Sequence, residues 1–308
     1  MSVVIRQLID ANGRAAQIQL SGPAAVFVLP ALLSMWREVL GWDGLSIAYG
    51  DARAIGFEKE AKIGKLFFSM PYGGYGGFVD QGTEVEREEV IAAVLRRSYL
   101  QENFVTFGSA VDGSFPAAYI RTDLTTHIID LTAQVALSEN TTRNIRKAAE
   151  NKFAIAKLDS ASHSKFVALL ETHQKRTGEY RRMPQGCYEY LLAKSSESGS
   201  GVSVYAASNQ DGIQCIHIYF ETTSDAFYFD GFSTTAGLEQ GANFFLMDAM
   251  IARFRENGIE RLNLGATPPL DKGLRRFKEG WGARDVAYRE YCRRSQAKRL
   301  IDFMTRLR

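Results

Sequence analysis

The chain has 308 residues, 45% of them hydrophobic and 23% charged. That is the balance of a folded protein with a sizeable core, and it excludes a disordered chain. A net charge of +2 gives no long-range field for nucleic acid, so any anion site must be local. Three scattered cysteines without Cys/His ligand spacing exclude a disulfide framework and a zinc site, and fit a reducing compartment.

Residues 15–36 carry no charge, which invites a membrane reading. Gln17, Gln19, the Gly22-Pro23 pair and Pro30 interrupt them, and no apolar run of spanning length remains. The first fourteen residues lack a signal peptide's charged start, apolar core and cleavage site. These features give a cytoplasmic expectation with no transmembrane segment.

Periodicity predicts strands over 3–8, 45–49, 53–58 and 65–70. The glycine-rich "MPYGGYGG" follows, then a helix over 84–99 and a strand over 103–107 ending in Gly108. The second half repeats the order. It has strands over 202–207, 213–221 and 226–231, a helix over 242–257, and a strand over 260–264 ending in Gly265. Leu45 and Val202 are 157 positions apart, as are Gly108 and Gly265. One βββαβ unit therefore occurs twice, which predicts an α/β (α+β) protein of two similar domains, 1–135 and 136–292.

Between the halves, "SENTTRNIRKAAEN" reads as a helix capped by Ser138 or Asn140, carrying Arg143, Arg146 and Lys147. Helices follow over 160–176 and in "MPQGCYEYLLAK", the latter with Pro184 in its first turn. A C-terminal helix within 293–308 lines up Ala297, Leu300, Ile301, Met304 and Leu307 on one face, with Lys298, Arg299, Arg306 and Arg308 off it. Such a stripe is expected to pack on its own protein, back onto the N-terminal domain. Its basic side offers a peripheral contact to anionic lipid or another phosphate-bearing partner.

The segment "GANFFLMDAMIARFRENGIERLNLGATPPLDKGLRRFKEGWGA" (241–283) resembles the GNAT superfamily of acyltransferases, within it the Fem-type and FemAB-related branch. The carrying pattern is a helix, a strand ending in glycine, and a Gly-x-x-Arg-Phe-Lys-x-x-aromatic-Gly run. The basic helix at 138–151 is similar to the family's interdomain helix, and "MPYGGYGG" to a proline and twin-glycine loop of FemAB-related members. No heptad run exists, so the long coiled-coil arm of some Fem-type enzymes is missing. The resemblance implies tandem GNAT-like domains. It also implies transfer of an acyl or aminoacyl group from an activated ester or thioester to an amine, in peptidoglycan, polysaccharide or other cell-envelope pathways. It makes aminoacyl-tRNA or acyl-CoA the expected co-substrate, with no tightly bound cofactor and no metal expected.

On that resemblance Lys278 supplies positive charge to a carbonyl oxygen or leaving group, and Phe277 excludes water beside it. Arg275 and Arg276 are candidates for donor phosphates; Trp281 is assigned to the core. A tRNA user would show a basic groove joining Arg143, Arg146 and Lys278. A CoA user carries a Gly-rich loop opening the helix after the hairpin, where backbone N–H groups hold pyrophosphate. Here that stretch is Leu238 to Asn243, with only Gly241 matching. Independently, a hairpin turning at Thr223-Ser224 places His217 opposite Asp230 and Tyr219 opposite Tyr228. A carboxylate beside an imidazole makes a candidate base. Tyr219, Tyr228 and Tyr75 are candidate substrate-cleft residues. Two other readings stay open: an acyl-CoA-dependent amino-sugar N-acetyltransferase and a non-catalytic GNAT-like scaffold.

Overall fold

The computed structural model describes all residues except 1, 11–12, 17, 19–23, 108–110, 179–182, 269 and 307–308. The strand-end glycine expected at 108 and helix positions 307 and 308 lie outside the described residues. In chain order, the first half forms β1 (Val4–Gln7), α1 (Pro30–Glu38), β2 (Asp43–Tyr49), β3 (Ala52–Glu60), β4 (Lys65–Phe68), β5 (Gly77–Gln81), α2 (Glu84–Arg96) and β6 (Gln101–Phe107). Next come β7 (Ile120–Asp130), α3 (Glu139–Ala149), β8 (Ala154–Lys157), α4 (His163–Thr177) and α5 (Gln185–Ser195). The second half continues with β9 (Val202–Asn209), β10 (Gly212–Glu221), β11 (Asp225–Ser233), α6 (Thr235–Glu239), α7 (Ala242–Glu256), β12 (Arg261–Ala266) and α8 (Lys272–Gly280). The chain closes with β13 (Arg284–Arg294) and α9 (Gln296–Arg306).

These elements divide into two units. One comprises Met1–Leu20, Leu32–Leu124 and Ala287–Arg308; the other comprises Ser21–Ala31 and Thr125–Val286. The divisions differ from those expected at 135/136 and 292/293 because pairing decides them. Residues 126–130 of β7 pair with β12, and residues 288–294 of β13 pair with β6.

Each unit is a mixed, mostly antiparallel sheet flanked by helices. In the first the strand order is β1-β2-β3-β4-β6-β13, with β5 also on β3. In the second it is β8-β9-β10-β11-β12-β7. The pairing senses run alike. β2/β3 and β3/β4 are antiparallel and β4/β6 parallel; β9/β10 and β10/β11 are antiparallel and β11/β12 parallel. A parallel pair needs a crossover, and α2 and α7 supply it. Thr83 caps α2 with a reciprocal capping box to Glu86, which fixes where that crossover starts.

The first unit packs Val90, Ile91 and Val94 of α2 against Leu45, Phe67 and Phe104 of the sheet. Beyond Phe68 the gap between parallel β4 and β6 is closed by main chain. Ser69 N–H donates to Asn103 O (2.7 Å), Gly76 N–H to Val105 O (3.1 Å), and Val105 N–H to Ser69 Oγ (2.7 Å). The "MPYGGYGG" loop is thus a plug. Tyr75, expected at a substrate cleft, is instead a core residue, with ring centroids 4.8 Å from Phe107 and 5.0 Å from Tyr288.

In the second unit, Met247, Met250 and Phe254 of α7 cover one sheet face, with Tyr219, Leu262 and Trp281. Trp281 is fully buried beside Phe244, as its assignment to the core required. The other face carries Phe232 against Phe166 of α4 and Tyr188 of α5. Helix α9 departs from its expected packing. Leu300 (59% exposed), Phe303 (61%) and Met304 (50%) face solvent, while Ile301 is half-buried together with the Lys298–Asp302 ion pair.

The plug gives a test. A Cβ at Gly76 would lie 2.2 Å from the Ser69 carbonyl oxygen, which is backbone and cannot rotate aside. Gly76→Ala should cost about 1–3 kcal/mol of stability in urea unfolding of the whole chain.

Candidate functional site

The second unit opens where the first is plugged. Strands β11 and β12 pair only from Asp225↔Arg261 to Phe227↔Asn263. Immediately afterwards the β10/β11 register shifts: Tyr219 faces Tyr228, but Ile218 faces Asp230. Phe229 is the extra residue of a β-bulge, and a bulge bends its strand. The resulting cleft encloses about 620 Å³. Tyr228, Asp230 and Gly231 of β11 line one side and Leu264 and Ala266 of β12 the other; His173 of α4, Tyr188 of α5 and Lys278 of α8 complete it.

Lys278 reaches this wall through two local devices. Asp271 caps α8 by accepting from Leu274 N–H (2.8 Å), so the run from Gly273 to Gly280 is helical and not a loop. Gly265 adopts φ +77°, a left-handed conformation that glycine takes without strain. Its N–H donates to Asn263 Oδ1 (2.8 Å), which also accepts from Thr126 Oγ1 (2.7 Å). This turn sits at a second register shift, between β12 and β7. It presents the carbonyls of Gly265 and Ala266 to Lys278 Nζ, at 2.9 and 2.8 Å. Lys278 is 3% exposed.

Asp230 faces the same cleft. Its carboxylate accepts from Tyr188 Oη (2.7 Å) and from Gly231 N–H (2.8 Å). Behind the lysine, buried His127 of β7 has Nδ1 2.9 Å from Asp285 Oδ1, without hydrogen-bond alignment. Burial, then the charge of Lys278, push its pKa down. Asp285 also pairs with Arg275 (3.1 Å).

The structure brings Lys278, Asp230 and Tyr228 together and separates the other candidates. His217 does not face Asp230: the bulge at Phe229 moves its partner to Gly231. The two side chains lie on opposite faces of the sheet, His217 with Asn243 of α7 and Asp230 with Tyr188 of α5. Tyr219 is likewise core, its hydroxyl on His217 Nδ1 (2.9 Å). Phe277 packs between Phe244 and Trp281 and does not line the cleft. Arg275 is held by Glu279 and Asp285, and Arg276, Arg143 and Arg146 are exposed outside the cleft, so among the described residues these arginines form no basic groove with Lys278. Gly241 begins α7 in a left-handed conformation, where an added Cβ would meet Ala148 Cβ (3.1 Å) and Asn144 O (3.3 Å) of α3. Helix α3 therefore packs close against Gly241 at the start of α7. Tyr188 and His173 were not legible as site residues: Tyr188 lies 42 positions from Asp230, with no local pattern linking them.

Asn243 stands where a CoA-binding loop would carry a small residue. Its Oδ1 accepts from His217 Nε2 (2.6 Å), and Nδ1 lies 2.9 Å from Tyr219 Oη. Burial pushes the pKa of this imidazole down to about 4 from the ordinary 6.5, so it is neutral at neutral pH. Below pH 6.5 the unfolded chain takes up a proton that the folded chain refuses. Stability should therefore fall between about pH 6.5 and pH 4, by roughly 3 kcal/mol from this group. Urea unfolding of wild type and His217→Gln across that range should show the variant lacking this part of the slope.

No protein-family model and no curated protein matches the chain. Solved structures do. It is similar to FemX, with a TM-score of 0.64 at 12% identity over 82% of this chain and 89% of that one. It is similar to the C-terminal domain of a putative lysylphosphatidylglycerol synthetase from Agrobacterium fabrum, with a TM-score of 0.60 at 13% identity, covering 82% and 88%. A tandem GNAT protein from the clavulanic acid biosynthesis pathway matches with a TM-score of 0.52 at 9% identity, covering 82% of each chain. The repeated unit, the splayed parallel strands and these likenesses together identify the architecture: the chain has the Fem-type, tandem GNAT-like fold.

Proposed function

We propose that the second unit transfers an acyl or aminoacyl group from an activated ester or thioester to an amine. The observation that carries this reading is one cleft holding a buried ammonium, Lys278, and a hydrogen-bonded carboxylate, Asp230. An amine must be neutral to attack, and charge that develops on the carbonyl oxygen needs a cationic or N–H partner. Asp230 receives the amine's proton, its carboxylate held in place by Tyr188 and Gly231. The amine nitrogen bonds to the acyl carbon, and the bond to the leaving oxygen or sulfur breaks. The proton passes to that leaving atom. Lys278, fixed by two carbonyls, stabilises the negative charge without having to reorient. Tyr228 and Tyr188 exclude water and hold the acceptor beside the donor, where positioning lowers the barrier further.

We propose an aminoacyl ester as the donor, although Arg143 and Arg146 stand outside the cleft and do not form with Lys278 the basic groove expected of a tRNA user. A CoA pyrophosphate needs room and free N–H groups at the start of α7, and α3 crowds Gly241 there. The gap between β11 and β12 is the observation in favour of an acyl-CoA donor, and with it of an amino-sugar N-acetyltransferase. A non-catalytic scaffold is disfavoured because Lys278 borders an open cleft. The acceptor class we propose is an amine on a cell-envelope or polysaccharide precursor, a reading that rests on the family resemblance of residues 241–283.

Labelled aminoacyl-tRNA and acetyl-CoA, each offered with an amine acceptor, test the donor. With the donor that works, Lys278→Met should lower kcat about 10²-fold or more; full activity in that variant would remove the lysine from the mechanism. Asp230→Asn, nearly isosteric, should lower the rate at neutral pH and recover as pH approaches the acceptor's own pKa, because the amine then arrives deprotonated. A pH-independent deficit would mean that Asp230 positions the acceptor and does not take its proton.

A further inference from the structure

Helix α9 is turned the wrong way for a helix that serves only its own core. Its half-buried side carries Lys298 and Asp302, paired with each other and with Arg294 (3.6 Å from Asp302), while Leu300, Phe303 and Met304 stand in solvent. The foot of the helix is fixed, because Ser295 N–H donates to Leu100 O (2.9 Å). The same Leu100 touches a second exposed apolar tip. Its N–H donates to Lys65 O (2.7 Å), and its side chain borders Gly64 in the β3–β4 turn, where Ile63 is 64% exposed beside exposed Lys62. Two separate elements of the first unit thus meet at one residue, and each offers apolar side chains flanked by a cation, Lys62 on the turn and Arg299 on the helix.

We infer that this surface docks the protein on an anionic lipid bilayer. Exposed apolar side chains beside lysine and arginine match an interfacial helix, whose apolar face enters the acyl boundary while its cations meet lipid headgroups. A second copy of the chain is a poorer occupant: a two-fold interface through α9 would set cations against cations at its rim. A bilayer supplies both the apolar layer and the compensating charge. Among the described residues no helix is long and apolar enough to cross a membrane. The inference stands on the first unit alone and is independent of the chemistry proposed for the second.

The test is co-sedimentation of the full chain with phosphatidylcholine vesicles, with and without phosphatidylglycerol. Binding should require the anionic lipid and weaken with added salt. The triple variant Leu300→Ser, Phe303→Ser, Met304→Ser should reduce partitioning at least about tenfold. Arg299→Gln and Lys62→Gln should each reduce it about fivefold. All these positions are exposed, so melting temperatures should stay close to wild type. Three outcomes would overturn the inference: no binding to either vesicle, equal binding to both, or a wild-type dimer that the triple variant dissociates.

Discussion

A buried ammonium held by two backbone carbonyls organises the second unit. Moving a charge out of water is costly unless hydrogen bonds replace its hydration. Lys278 finds them only because Gly265 takes a left-handed turn that exposes its own carbonyl and that of Ala266. The turn in turn depends on Asn263 and Thr126, and the lysine's placement depends on Asp271 starting α8 and on Trp281 anchoring its end. Residues from β7, β12 and α8 thus converge on one nitrogen. A cation so constrained is preorganised, and that separates a site able to stabilise developing charge from a surface lysine that would have to be gathered in each time.

The two units show how one topology supports two outcomes. Both contain a parallel strand pair bridged by a helix. In the first, the chain after β4 folds back and joins β6 through Ser69 and Gly76, leaving aromatic packing around Tyr75. In the second, one extra residue at Phe229 bends β11 away from β12 and leaves space lined by Asp230, Tyr228 and Lys278. A plugged gap contributes stability; an open one leaves polar groups available to a ligand.

Much of this was legible in the sequence. The strands and helices of the repeated unit follow from alternation and 3.6-residue periodicity, and their order disclosed the duplication. Lys278 stood out through its motif. What escaped was set by non-local or single-residue events. Strand β13, with Arg284, Asp285, Arg289, Glu290, Arg293 and Arg294, is too charged to read as a sheet partner. The His217–Asp230 pairing fails because a bulge is invisible to alternation, and one slipped residue sends a side chain to the other face. Phe277 reads as part of the chemistry in the motif, yet helical geometry sends neighbouring side chains in different directions, and it packs with Phe244 while Lys278 enters the cleft.

The return of β13 to β6 bears on biogenesis. Glu102 on β6 is fully buried, and its carboxylate is met by the guanidinium of Arg293, 2.8 Å from Nε, and by the hydroxyl of Tyr119. Arg293 follows Glu102 by 191 positions. Until it emerges, β6 has no β13 beside it and Glu102 lacks its arginine, whereas every strand of the second sheet has already been made. The half synthesised first is therefore expected to finish folding last, and a nascent chain stalled before β13 would offer an unpaired strand as a point of aggregation.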